Sequence, residues 1–208
     1  MAATSDTVHI TPLTDAEDAE AFQRINAAWI SELFSLTDED RRVLDDPVGQ
    51  IIAPGGAVLI ARTDDDARVG CVALLSYPGD VFELSKMGVT PETQGHGIGN
   101  ALIRAAVEHA AARGGRRLFL GTNSRLQPAI HLYERAGFRR ITKDDLPVDD
   151  YYARADILMG MDLTTVNTDA PHHPAGDNGA RQARAESLPA NVSSSTTDGR
   201  HESARSRR

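Results

Sequence analysis

Phe22, Ile25, Trp29, Leu33 and Leu36 recur at spacings of three and four. That period puts side chains on one face of a helix, so an amphipathic helix is expected over Asp15 to Leu36. Thr37-Asp38-Glu39-Asp40 reads as the start of a second, short helix, which must finish before Pro47. Val8 to Leu13 alternates weakly, as a first strand would. The apolar runs GGAVLIAR and VGCVALLSY flank the polar turn TDDDAR, which predicts an antiparallel hairpin. Pro78-Gly79-Asp80 turns the chain again, and VFELSKMGV follows as a strand.

A helix is expected after QGHGIG, running to Arg113 and ended by Gly114-Gly115. Leu102, Ile103, Ala106, Val107 and Ala110 give it an apolar face. RRLFLGTN is a fifth strand, Ala129 to Ala136 a short helix closed by Gly137, and FRRI and RADILMGMDL supply two more strands. The order β-α-α-β-β-β-α-β-α-β-β describes a mixed α/β domain.

Composition changes the picture at the end of the chain. From Thr164 to Arg208 there is no aromatic residue, and Val166, Leu188 and Val192 are the only larger aliphatics. Such a segment buries too little surface to offset its ordering entropy, so a disordered low-complexity tail is expected after a domain spanning 1–163. His172, His173 and His201 lie in that tail without cysteine or regular spacing, which does not make a metal motif. The sequon at Asn191 matters only in a secreted protein. The 208 residues carry a net charge of −8, which argues against nucleic acid as a partner. Cys71 is the single cysteine, which excludes an internal disulfide and suits a reducing compartment. MAATSDTVHI has no signal-peptide pattern, and no apolar run approaches the ~20 residues of a membrane helix. A cytoplasmic protein that meets neither membrane nor nucleic acid is the expectation, with no metal.

Gly95, Gly97 and Gly99 alternate immediately before the helical run ALIRAAVEHAA. Each glycine costs backbone entropy, so three together suggest unusual dihedrals or a close approach. Bare amides leading into a helix N-terminus also suit an anion such as a phosphate or pyrophosphate. A Walker A loop needs a Gly-Lys pair that is absent, and Gly95-His96-Gly97-Ile98-Gly99 brings its third glycine one residue too early for a dinucleotide fingerprint.

QGHGIG does match a Q/R-x-x-G-x-G/A loop, with Gln94, Gly97 and Gly99 at the defining positions. Together with FELSKMGV before it and LGTNSRLQPAIHLYERAGF after it, the chain resembles the GNAT family of N-acetyltransferases from about Val81 to Phe138, and less specifically from Val8 to Leu163. The resemblance implies a mixed, mostly antiparallel central sheet flanked by helices and splayed between strands four and five. It implies acetyl-CoA as co-substrate, bound along the loop at Gln94, Gly95, His96, Gly97, Gly99 and Asn100, with the amides from Gly95 to Asn100 on its pyrophosphate. His96 stands where the family often has Arg or Lys. Backbone groups of Met87 and Val89 would pair with the pantetheine arm as an added strand does. Asn123 looks like the residue that hydrogen-bonds that arm, although an Asn turning GTNS fits the same position.

The resemblance also implies chemistry. Tyr133, in LYERAGF, stands where the family places the tyrosine that protonates the departing sulfur; an aromatic core residue is the plainer alternative. Glu83, four residues before Met87, matches the general base of one branch of the family. A solvated carboxylate, or one paired with Lys86, is its alternative. The Met87 amide would hold the oxyanion. Cys71 as an acyl-carrying nucleophile is weaker, since nothing nearby activates it. His109 and His131 are left outside the site, and Glu32 on the first helix borders the acceptor side. The acidic body suits a cationic primary amine, on a small molecule or a peptide. Two other classes stay open: a non-catalytic acyl-CoA sensor, which needs neither Tyr133 nor Glu83, and a partner-binding protein that works through its tail. Homodimers are common in the family, though no interface motif is visible here.

Overall fold

The computed structural model describes residues 8–148, 151 and 154–164. The expected tail, with His172, His173, His201 and the Asn191 sequon, lies outside them apart from Thr164. Seven strands form one sheet: β1 (His9–Pro12), β2 (Ala57–Arg62), β3 (Arg68–Tyr77), β4 (Val81–Val89), β5 (Arg117–Thr122), β6 (Arg139–Arg140) and β7 (Ile157–Asp162). Their spatial order is β1-β2-β3-β4-β5-β7-β6. Neighbours pair antiparallel except β4 and β5, which run parallel. Four α-helices flank the sheet: α1 (Ala16–Leu33), α2 (Asp38–Asp45), α3 (Ile98–Ala112) and α4 (Gln127–Arg135). The element order is the one read from the sequence.

Strand alternation sorts the core onto two faces. Leu59 and Ala61 of β2 pack with Leu102, Ile103 and Ala106 of α3 and Ile130 of α4. Val58 and Ile60, one residue out of phase, pack with Phe22, Ile25 and Ile30 of α1 and Leu44 of α2. Helix ends follow local chemistry. Asp15 caps α1 by accepting from the Asp18 amide at 2.8 Å, and Thr37 and Asp40 close a reciprocal capping box on α2.

Several boundaries differ from expectation. The first helix ends at Leu33, and Leu36 lies beyond it. Phe34 is already extended, its N–H capping Ile30 O, while Arg125 donates to Leu33 O at 3.0 Å. The helix expected from Ala129 starts at Gln127, because Pro128 falls in the first turn where no amide is needed. After Pro47 an unexpected π-helical turn covers Val48–Ile52. Among the described residues no helix is long and apolar enough to cross a membrane.

Two irregularities shape the centre of the sheet. The parallel pairing of β4 with β5 runs only from Val81↔Arg117 to Glu83↔Phe119, and the strands then separate. In the β3–β4 register, Cys71 faces Gly88 and Ala73 faces Ser85, so β4 carries one extra residue there. Lys86 absorbs it with φ +46, the signature of a β-bulge.

Candidate active site

The split between β4 and β5 opens into two adjoining cavities of about 320 and 620 Å³. Met87, Gln94, Leu126 and Ala129 line both, so they form one passage. The larger runs along the glycine loop, and the smaller reaches back to Glu83.

The loop explains two of its glycines by dihedral. Gly95 and Gly97 have φ of +81 and +84, and a Cβ on either would meet nothing within 4 Å. They serve the left-handed turns and leave the backbone bare toward the cavity. Gly99 has a different reason: on α3, its Cβ would come within 2.9 Å of Leu132 Cδ2 on α4. Gly97 is the N-cap of α3 and carries no side-chain cap, and the first helix bond is Ala101 N to Gly97 O at 3.1 Å. The amides of Ile98, Gly99 and Asn100 are therefore without helical partners at the positive end of the helix dipole. Gln94, Gly95, Gly97, Gly99 and Asn100 line the cavity, whereas His96 is exposed and lines neither one; its Nδ1 lies 3.2 Å from Thr93 O.

Backbone groups on β4 face the gap as strand alternation requires. Thr90 N donates to Val69 O at 2.8 Å, so the peptide groups of Thr90 and Gly88 point to β3. Those of Met87 and Val89 then point away from β3, into the gap. The carbonyl of Val89 accepts from Gln94 Nε2 at 3.3 Å. Trp29 and Ile25 of α1 cross over Gly88, where any Cβ would collide with them.

Tyr133 is buried in the wall of the smaller cavity, with its ring edge-on to Phe138 at 5.9 Å. Among the described residues its hydroxyl makes no hydrogen bond, and burial pushes its pKa up to about 12. Glu83 is 1 % exposed. Its Oε2 accepts from Tyr77 at 2.8 Å and its Oε1 from Tyr151 at 2.6 Å. Burial raises its pKa above the ordinary carboxylate value, and the two phenol hydrogen bonds oppose that rise. Lys86, the ion partner considered for it, pairs instead with Asp40 at 2.6 Å.

Asn123 also lines the smaller cavity, but its side chain serves the protein: Nδ2 donates to Arg154 O at 2.7 Å and Oδ1 accepts from Arg125 N at 3.0 Å. That is the turn-forming arrangement considered beside the ligand contact. Cys71 is fully buried, accepts from Asn26 Nδ2 at 3.3 Å and has its pKa pushed up to about 12 by burial. It lines neither cavity, and a buried, protonated thiol is a poor nucleophile, so the acyl-carrying alternative stays the weaker one.

Sequence reasoning missed the opposite wall. Trp29, Glu32, Phe34, Lys86, Tyr151 and Arg154 form it. Asp40 lies behind, with no exposure, and accepts from Lys86 and, through both oxygens, from Arg154 at 2.6 Å. Burial works against its charge, but these partners and the Thr37 amide hold its pKa far below the carboxylate range. Arg125 and Arg154 stack on Phe34 at 5.4 and 5.6 Å. Of these residues the helical period marks only Trp29, where it reads as apolar face, and only Glu32 was expected at this border. Among the described residues no group of three or more His, Cys, Asp or Glu is placed to hold a metal.

A sheet split beside a helix N-terminus with uncapped amides, and a buried carboxylate and a phenol along one passage, define the cleft of this mixed α/β domain. Residues 19–138 match the family model described as acetyltransferase (GNAT) family, and the chain belongs to that family. It is 32 % identical over 146 residues to a mycothiol acetyltransferase of Cellulomonas flavigena, covering 66 % of this chain and 42 % of that one. It thus spans less than half the length of the mycothiol acetyltransferases it matches. The fold matches a GNAT-family acetyltransferase of Staphylococcus aureus, with a TM-score of 0.69 at 19 % identity over 76 % of this chain and 99 % of that one. It also matches N-acetylglutamate synthase of Neisseria gonorrhoeae, solved with coenzyme A and N-acetyl-glutamate, with a TM-score of 0.60 at 21 % identity over 76 % and 35 %. These two likenesses are of fold.

Proposed function

We propose that the protein is an acetyl-CoA-dependent N-acetyltransferase that acetylates a primary amine by direct attack through a tetrahedral intermediate. One observation carries this reading: the passage in the β4–β5 split joins free amides at the α3 N-terminus to Tyr133 and Glu83. The left-handed glycines with open space beside them fit a pyrophosphate better than a bulky side chain, and family membership adds weight.

In this reading the amides from Gly95 to Asn100 bind the pyrophosphate, and Met87 and Val89 pair with the pantetheine arm. Gln94 releases the Val89 carbonyl to that arm, and Asn123 joins it by giving up a turn contact. The Met87 amide holds the developing oxyanion. Tyr133 donates its proton to the leaving sulfur, for which a phenol kept protonated by burial is suited, and regains one from the nitrogen, which sheds its second proton as the amide forms. Glu83 takes the proton of the acceptor ammonium, its raised pKa bringing it nearer to that task.

The acceptor lies toward Trp29, Glu32 and Phe34, where Glu32 favours a cationic amine on a small molecule or peptide. The reading extends to a catalytic domain of residues 1–163, a tail dispensable for catalysis and a cytoplasmic, reduced setting for the buried Cys71.

Coenzyme A release from acetyl-CoA across a panel of primary amines tests it. Amine-dependent turnover supports the reading. Tight acetyl-CoA binding with no turnover of any amine favours a sensor and overturns it.

A further inference from the structure

Resting on the acetyl-transfer reading, we infer that Asn26 is a positioning residue for the acceptor: it locks the Trp29 indole against Gly88, giving the smaller cavity a fixed apolar wall.

Asn26 breaks the pattern of α1. It follows Phe22 by four residues and Ile25 by one, which puts it on the core face, and it has no exposure. An aliphatic residue would continue that face, whereas a buried amide is costly unless its groups are paired. All of them are. Nδ2 donates to Phe22 O at 2.9 Å and to Cys71 Sγ at 3.3 Å, and Oδ1 accepts from Trp29 Nε1 at 3.0 Å. These partners also fix which way the amide faces. Reversed, it would set oxygen against the Phe22 carbonyl and an N–H against the indole N–H, which can only donate. A local rule broken in the sequence and fully satisfied in the packed chain marks an assigned task, and here the amide oxygen has one: to hold Trp29.

Trp29 is held on one edge only. A Cβ on Gly88 would come within 3.1 Å of Trp29 Cδ1 and 3.2 Å of Nε1, so the pyrrole edge rests on the β4 backbone between Met87 and Val89. The side chain lines the smaller cavity and not the larger, so its wall belongs to the acceptor end, with Glu32 and Glu83. Because its N–H is engaged by Asn26, the ring meets an acceptor with carbon rather than with a donor, while the carboxylates meet the acceptor's nitrogen. A ring ordered by the protein need not be ordered by the substrate, which favours both binding and alignment.

The test compares Asn26→Leu, Trp29→Phe and the double variant in the full chain, with the amine that wild type turns over best. Trp29 is the single tryptophan, so its emission reports the lock directly. Asn26→Leu should shift that emission to the red and raise its quenching by acrylamide. It should also lower kcat/KM for the amine by about tenfold, with the KM for acetyl-CoA near wild type. Trp29→Phe should show a loss of similar size, and the double variant should lose no more than the worse single, since both changes break one contact. Losses that add in the double variant, or a KM for acetyl-CoA that rises as much as that for the amine, would mean that Asn26 merely braces the helix. An emission shift without a change in amine kinetics also overturns the proposal. If Asn26→Leu does not fold, Trp29→Phe decides alone: unchanged amine kinetics overturns the proposal, and a loss confined to the amine upholds it. All of these results leave acetyl transfer standing. Wild type that binds acetyl-CoA and turns over no amine overturns the proposal together with the acetyl-transfer reading.

Discussion

Lys86 Nζ lies 2.6 Å from Asp40 Oδ1, which ties the bulge of β4 to the first turn of α2. Arg154 reaches the same carboxylate from the segment before β7. A fully buried anion with two cations is therefore the join between the sheet and the wall of the cavity.

Replacing Asp40 with Asn leaves Lys86 and Arg154 facing a neutral group in a buried setting. Breaking a buried ion pair from one side costs about 3–5 kcal/mol, and that loss is expected here. Urea denaturation of the two proteins measures it. A change within ~0.5 kcal/mol would show that water compensates the cations.

Tyr133→Phe removes a hydroxyl that makes no hydrogen bond among the described residues, so the melting temperature should barely move. The role of proton donor to sulfur predicts a fall in kcat of about 10²–10⁴-fold with little change in the KM for acetyl-CoA. Steady-state kinetics beside a thermal melt separates the two, and an unchanged kcat would make Tyr133 a core aromatic.

Two glycines of the loop should fail differently. Gly97→Ala forces a side chain to φ +84, a left-handed conformation that costs about 1–2 kcal/mol, and weakens acetyl-CoA binding. Gly99→Ala pushes on Leu132 Cδ2, so its loss of stability should be partly relieved when Leu132→Ala is added. A double-mutant cycle on unfolding free energy tests this, and strictly additive losses would remove the packing explanation.

Glu83 sets a pH dependence with an unusual sign. Its folded pKa is raised, above the ordinary 4.5, chiefly by burial. Its protonated form therefore stabilises the fold fully below the unfolded value, and that contribution is lost as pH rises through the folded pKa. Glu83→Gln should consequently gain stability relative to wild type as pH increases across that window, while losing activity. As a base Glu83 must be ionised, so wild-type kcat/KM should rise with pH through a midpoint above the usual carboxylate range. Paired melts and rate profiles across pH test both signs; a stability difference flat in pH would contradict them.

Periodicity together with caps and turn residues placed the helices and strands, because these are local properties of the chain. The glycine loop was equally plain, as left-handed turns leave few choices of residue. Even there, the sequence did not distinguish Gly95 and Gly97, which answer to dihedral, from Gly99, which answers to Leu132. Helix ends slipped where a distant residue intervened: Arg125, far along the chain, caps the carbonyl at which α1 stops.

The sequence by itself determined the element order, the glycine loop and the identity of Tyr133 and Glu83 as candidates, since each is written in neighbouring residues. Only the tertiary structure decided what those residues can do. Glu83 reads as a carboxylate beside Lys86, yet its partners are Tyr77, six positions away, and Tyr151, 68 away. Asp40 draws Lys86 from 46 positions away and Arg154 from 114. Burial, and the partners that make a buried charge tolerable, arise when the sheet splits and its walls meet, and that is a property of the packed chain rather than of any stretch of it.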